Sequence, residues 1–148
     1  SRGLAGIDGN VSTALGWARA LEKSYECPPT VHAVMGDLTF LHDASGMGMP
    51  VGEEFPRCRV IVLDDRGGSI FKSLEHGQRA SEAVYERYFG VAQRVDITAL
   101  AQAYGAKIRR VSSMLELRGI LNTEADGLEV LYLSISRPTE DIAFLRSL

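Results

Sequence analysis

The sequence predicts an α/β domain, a single doubly wound, mainly parallel sheet with helices on both faces. Two observations carry that expectation. Val31-His32-Ala33-Val34-Met35 and Val60-Ile61-Val62-Leu63 are short, β-branched and almost wholly apolar, as strands buried on both faces are. Such runs alternate with amphipathic stretches that open on capping residues and close on glycine or proline, the order that βαβ units require.

Taken in order, Asp8 offers a cap, and Val11, Ala14, Leu15, Ala18 and Leu21 recur near 3.6 residues, so a helix is expected from Asp8 until Cys27-Pro28-Pro29 stops it. A strand at 30–35, a loop and short helix across 39–49 and a strand at 59–63 follow. Residues 49–56 carry two prolines and read as a surface connection. Residues 81–89 have a helical pattern, and 96–104 opens on an Asp96 cap and ends at Gly105. A strand at 107–111, a helix at 113–121, a strand at 128–134 and a terminal helix at 139–148 complete the series. No repeat or low-complexity tract divides it, so residues 1–148 are expected to form one domain.

The formal charge of −3 comes without any long run of Lys or Arg, which argues against a nucleic-acid partner. No apolar stretch reaches the length of a membrane span and the N-terminus has neither signal nor transit character, so a cytoplasmic location is expected. Cys27 and Cys58 are far apart and match no zinc or redox spacing, which leaves two inert thiols.

The chemistry concentrates between Gly36 and Gly68. Gly36-Asp37-Leu38-Thr39 follows one predicted strand and Asp64-Asp65-Arg66-Gly67-Gly68 follows the next. Ligands of open α/β sheets sit beyond the carboxyl ends of the strands. If these two strands are neighbours, Asp37 and Asp65 bring hard oxygen ligands to one edge, and the glycines admit a phosphate close to the backbone. That pattern suits a Mg²⁺-bridged diphosphate. Acidic residues and glycines also follow strands simply because strands end in turns, so the pattern alone leaves both readings open.

Four segments tip the balance: Ser1-Arg2-Gly3-Leu4-Ala5-Gly6-Ile7-Asp8-Gly9, Gly36-Asp37-Leu38-Thr39-Phe40-Leu41-His42-Asp43, Gly67-Gly68-Ser69-Ile70-Phe71, and the strand entering Asp64-Asp65. Together they resemble the thiamine-diphosphate (ThDP) enzymes. Within that superfamily the likeness is to the menaquinone-biosynthesis synthases, which decarboxylate 2-oxoglutarate and add the succinyl carbanion equivalent to isochorismate. The resemblance implies a ThDP-binding fold, thiamine diphosphate and Mg²⁺ (or Mn²⁺) as cofactors, and the C-terminal diphosphate-binding domain of a three-domain subunit. It also implies that Ser1, which falls inside the first motif, belongs to a fragment of a longer chain. The expected partners are the remainder of that chain and a second subunit, in a homodimer or tetramer.

The same resemblance distributes roles. Asp37, Asp65 and the Gly67 carbonyl would bind the metal, with Gly36, Leu38, Thr39 and Gly68 against the diphosphate. Gly6 would offer its carbonyl to the aminopyrimidine, and Ile7 would wedge the cofactor into its bent form. Arg2 would hold a substrate carboxylate through its planar fork, while Ile70, Phe71 and Leu74 would wall the substrate pocket. No catalytic residue is expected within the chain, because the family's activating glutamate lies in another domain. His32, His42 and His76 lack triad partners, and His32 reads as structural. Two rivals are weaker: acetolactate synthase and its kin do not match Arg2 and Ile70-Phe71, and Mg²⁺-dependent receiver domains place their acidic pair after an earlier strand than this chain does.

Overall fold

The computed structural model describes residues 6–137. Four parallel strands, β1 (Val31–Gly36), β2 (Cys58–Asp64), β3 (Lys107–Arg110) and β4 (Leu128–Ser134), form one sheet in the order β1-β2-β4-β3. Six helices accompany them: α1 (Asn10–Ser24), α2 (Asp37–His42), α3 (Glu75–Arg79), α4 (Glu82–Tyr85), α5 (Ile97–Ala103) and α6 (Met114–Leu121). None of the helices among the described residues is long and apolar enough to cross a membrane.

Strand alternation sorts the core into two layers. On one face Met35, Cys58, Val60, Val62, Leu128 and Val130 pack with apolar residues of α1, α2 and α5. On the other, Ile61 and Leu131 pack with Val111 and with Leu117, Ile120 and Leu121 of α6. This second layer stops short of β1, where Val34 stays 64% exposed. The expected helix on each face is therefore present, with one edge of the sheet uncovered. On that same second face Arg59 and Glu129, both fully or nearly buried, meet across the β2–β4 ladder at 2.7 Å, and Arg59 also donates to the Thr123 carbonyl. Burial drives the Cys58 thiol up to about 12, so it is inert as expected.

Several expected boundaries move, each for a local reason. Asp8 does not cap α1. Its carboxylate lies 3.1 Å from His42 Nδ1, and the helix begins at Asn10 after a left-handed Gly9. The first-turn amide of Ser12 is satisfied instead by Asp43, 2.7 Å away, whose other oxygen accepts the Ser12 hydroxyl. The short helix expected at 39–49 starts two residues earlier, because Asp37 Oδ1 accepts the Leu38 N–H at 2.8 Å and lets the chain turn straight out of β1. The pattern at 81–89 resolves into α4 and a wide π-type turn, Glu86–Gly90, where Val91 takes a left-handed conformation at φ 43. The 3-10 turn Ser69–Ser73 and α3 carry too little periodicity to be anticipated. The terminal helix expected at 139–148 lies outside the described residues.

Candidate cofactor and metal site

Adjacent parallel strands in register deliver the two acidic loops to one end of the sheet. Gly36 pairs with Leu63, so Asp37 and the Asp64-Asp65 pair leave β1 and β2 side by side. Asp37 is buried in the first turn of α2. Burial raises its carboxyl above the usual carboxylate range; the Asp64 and Asp65 charges push the same way, while the N–H groups of Leu38 and Gly67 partly offset them. A cleft of about 390 Å³ opens over this point, lined by Asp37, Leu41, Asp64, Arg66, the stretch from Ala92 to Val95, and Ile97.

The second loop is tightly held. Asp64 accepts the Tyr132 hydroxyl at 2.6 Å and the Arg66 amide at 2.9 Å, and the Tyr132 phenol is pushed up by its bond to that carboxylate. Asp65 accepts the Ser69 hydroxyl. Arg66 adopts φ 64 and Gly67 φ 118, a turn that only glycine makes freely at the second position. A Cβ on Gly67 would also overlap the Gly90 carbonyl oxygen. The Gly68 amide donates to that same carbonyl at 2.7 Å, and the Tyr85 hydroxyl donates to Gly68 O at 3.0 Å.

One atom of the loop stands apart. The carbonyls of Asp64, Asp65, Arg66 and Gly68 each accept a hydrogen bond, from Ile135, Arg137, Arg137 and Tyr85 respectively. Gly67 is buried, yet among the described residues its carbonyl meets no donor. A donor-free carbonyl on a buried glycine whose N–H meets Asp37 offers an oxygen ligand to a cation, although Asp64, and not Asp65, lines the cleft with Asp37. Among the described residues no three His, Cys, Asp or Glu side chains come together as a metal-holding group.

The remaining expected residues are spread around this end. Leu38 and Thr39 lie in α2, and Gly36 ends β1. Gly6 and Ile7 precede α1 and are exposed, and the Asp8–His42 pair ties their segment to the end of α2. Ile70 (72% exposed), Phe71 and Leu74 project from the turn after the glycines. Arg2 lies outside the described residues, as does the side chain of His76. His32 faces solvent on β1, its imidazole pKa lowered by partial burial and by Arg59. Tyr85, Tyr132 and Arg137 escaped the sequence reading: each acts on the loop from 17 to 72 positions away, and no spacing rule reaches that far.

Fold and site thus define an α/β domain with acidic and glycine-rich loops at the carboxyl ends of two adjacent parallel strands. The chain belongs to the family described as thiamine pyrophosphate enzyme, C-terminal TPP binding domain, whose model matches residues 1–133. It is 44% identical over 141 residues to the 2-succinyl-5-enolpyruvyl-6-hydroxy-3-cyclohexene-1-carboxylate synthase of Renibacterium salmoninarum, an alignment covering 93% of this chain and 24% of that protein. The synthase of the same name from Mycobacterium bovis is 41% identical over 144 residues, covering 93% and 26%. The benzoylformate decarboxylase of Polynucleobacter necessarius shares the fold at a TM-score of 0.72 and 24% identity, over 90% of this chain and 24% of that one. The chain spans about a quarter of the length of the curated relatives it matches.

Proposed function

We propose that residues 1–148 are the diphosphate-binding domain of a longer, cytoplasmic ThDP-dependent synthase that decarboxylates 2-oxoglutarate and adds the succinyl carbanion equivalent to isochorismate. The activity for which the relatives are named supports the reaction. The donor-free carbonyl of Gly67, a residue whose N–H meets Asp37, is the observation that carries the metal and diphosphate reading.

In this reading Mg²⁺ or Mn²⁺ takes oxygens from Asp37, Asp65 and Gly67, and the backbone of Gly36, Leu38, Thr39 and Gly68 borders the diphosphate. When bound, thiamine diphosphate supplies the electron sink for loss of CO₂. The chain's own residues hold and orient. Asp37 and Asp65 neutralise the cation that offsets the phosphates, Gly6 and Ile7 set the cofactor's bend, and Arg2 holds a substrate carboxylate against the apolar wall of Ile70, Phe71 and Leu74. A second subunit supplies the activating glutamate.

Calorimetry of ThDP binding with Mg²⁺ and with EDTA tests this. Uptake is expected to require the metal, to vanish in Asp37→Ala and to survive in Asp65→Asn, because an amide oxygen remains a ligand. Since Asp64, not Asp65, lines the cleft with Asp37, the alanine pair Asp64→Ala and Asp65→Ala is the third arm. Loss in Asp64→Ala with Asp65→Ala unaffected would transfer the ligand role to Asp64. Beryllofluoride binding in place of ThDP would favour a receiver domain. The C2 proton of ThDP, followed by NMR in D₂O, is expected to exchange at the free cofactor's rate on this chain alone.

A further inference from the structure

We propose that Arg137 is a positioning residue for the metal-binding loop, fixing residues 65–68 so that the Gly67 carbonyl alone is left to face a cation. The inference rests on the metal reading above and deepens it. Arg137 leaves the sheet just past β4 and spreads its guanidinium across three acceptors. Nε donates to the Asp65 carbonyl at 3.0 Å, Nη2 to the Arg66 carbonyl and Nη1 to the Glu86 carboxylate. A planar fork suits that task, since its donors sit in fixed relative directions.

The contacts close a ring around the loop. Glu86 opens the turn Glu86–Gly90, and Gly90 accepts the Gly68 amide while packing against Gly67. Tyr85, the residue before it, holds the Gly68 carbonyl. Arg137 therefore fixes the carbonyls on one side of Gly67, and the Tyr85–Gly90 segment fixes the group on the other. Arg66 at φ 64 is a non-glycine residue in a costly conformation, and such a backbone persists only where its surroundings hold it. The Arg137 bond to the Arg66 carbonyl is one such restraint.

Mg²⁺ demands near-octahedral geometry, whereas Ca²⁺ accepts a looser and more variable set of oxygens. Loosening the loop should therefore weaken Mg²⁺ more than Ca²⁺, a signature that a general loss of stability would not produce. The test compares the full chain with Arg137→Ala, Arg137→Lys and the milder Glu86→Gln, by calorimetric titration of Mg²⁺ and of Ca²⁺ at saturating ThDP. Exchange of the Gly68 amide is followed in metal-free protein. Arg137→Ala is expected to lose about 10- to 100-fold in Mg²⁺ affinity, the range for groups that orient metal ligands. Its Mg²⁺/Ca²⁺ preference should narrow and its Gly68 amide exchange faster, with Arg137→Lys and Glu86→Gln falling between. Wild-type Mg²⁺ affinity in all three variants, or equal losses for both ions, overturns the inference. If the unsubstituted chain takes up no ThDP with Mg²⁺, the proposed function fails. The exchange arm then decides alone, and an unchanged Gly68 rate in Arg137→Ala rejects the role of Arg137.

Discussion

Asp37 carries a charge that the folded chain disfavours. Its carboxyl is raised by burial and by Asp64 and Asp65, so folding favours the protonated form. The stabilisation this brings is complete below the ordinary value of 3.8 and is lost as pH rises through the higher folded value, each unit of separation being worth about 1.4 kcal/mol. Asp37→Asn should therefore raise the melting temperature in EDTA at pH 7 and flatten the acid side of the pH profile, whereas Asp37→Ala should remove the extra stability that Mg²⁺ and ThDP confer together. Thermal melts across pH read both effects, and a lower melting temperature in EDTA would contradict the assigned strain. Ser69→Ala frees the Asp65 carboxylate and is expected to weaken Mg²⁺ by about 10- to 100-fold by the same titration. At this scale Asp37 was legible, because a carboxylate after an apolar run is a local signal. The cap on Ser12 was not, since Asp43 supplies it from 31 positions away and displaced the nearer candidate, Asp8.

Among the elements, the segment from α4 through the turn Glu86–Gly90 supports the site without lining its acidic end. Tyr85 is buried, and burial also raises its phenol. Tyr85→Phe leaves the ring in place but takes one donor from the Gly68 carbonyl, with an expected cost of about 1 to 3 kcal/mol in urea unfolding. Gly67→Ala should be worse, because it adds a forced positive φ to the overlap with Gly90. A Tyr85→Phe chain as stable as the unsubstituted one would mean that the Gly68 carbonyl is satisfied by its bond from Phe71 alone. Helix α5 was readable from its Asp96 cap, whose carboxylate accepts both Thr98 and Ala99 amides. The wide turn was not, since its geometry follows from the packing of Gly90 on Gly67 and not from any period in the sequence.

For the molecule as a whole, the parallel sheet and its alternation with helices were legible, whereas the strand order was not, because apolar runs carry no information about which of them become neighbours. The order matters for stability through Arg59 and Glu129, which join β2 to β4 from within the core. Burial, the largest single influence, works to raise the Glu129 carboxyl, and the Arg59 bond, the Asp126 amide and the Arg59 and Arg109 charges together outweigh it and hold it low. That contribution is present above the ordinary value of 4.5 and is lost as pH falls through the lower folded value, the opposite sign to Asp37. Glu129→Gln would strand the Arg59 charge and should cost about 3 to 5 kcal/mol, read by denaturant unfolding; a cost below about 1 kcal/mol would show that Thr123 suffices as its partner. The position of β4 also has a temporal consequence. Although the last strand among the described residues, it lies between β2 and β3, so during synthesis those two strands emerge before the neighbour they share. Until residues 128–134 leave the ribosome, β3 has no partner in the sheet and one edge of β2 stays bare. Over that interval the β1–β2 pair presents an open edge, the kind that invites pairing with another chain.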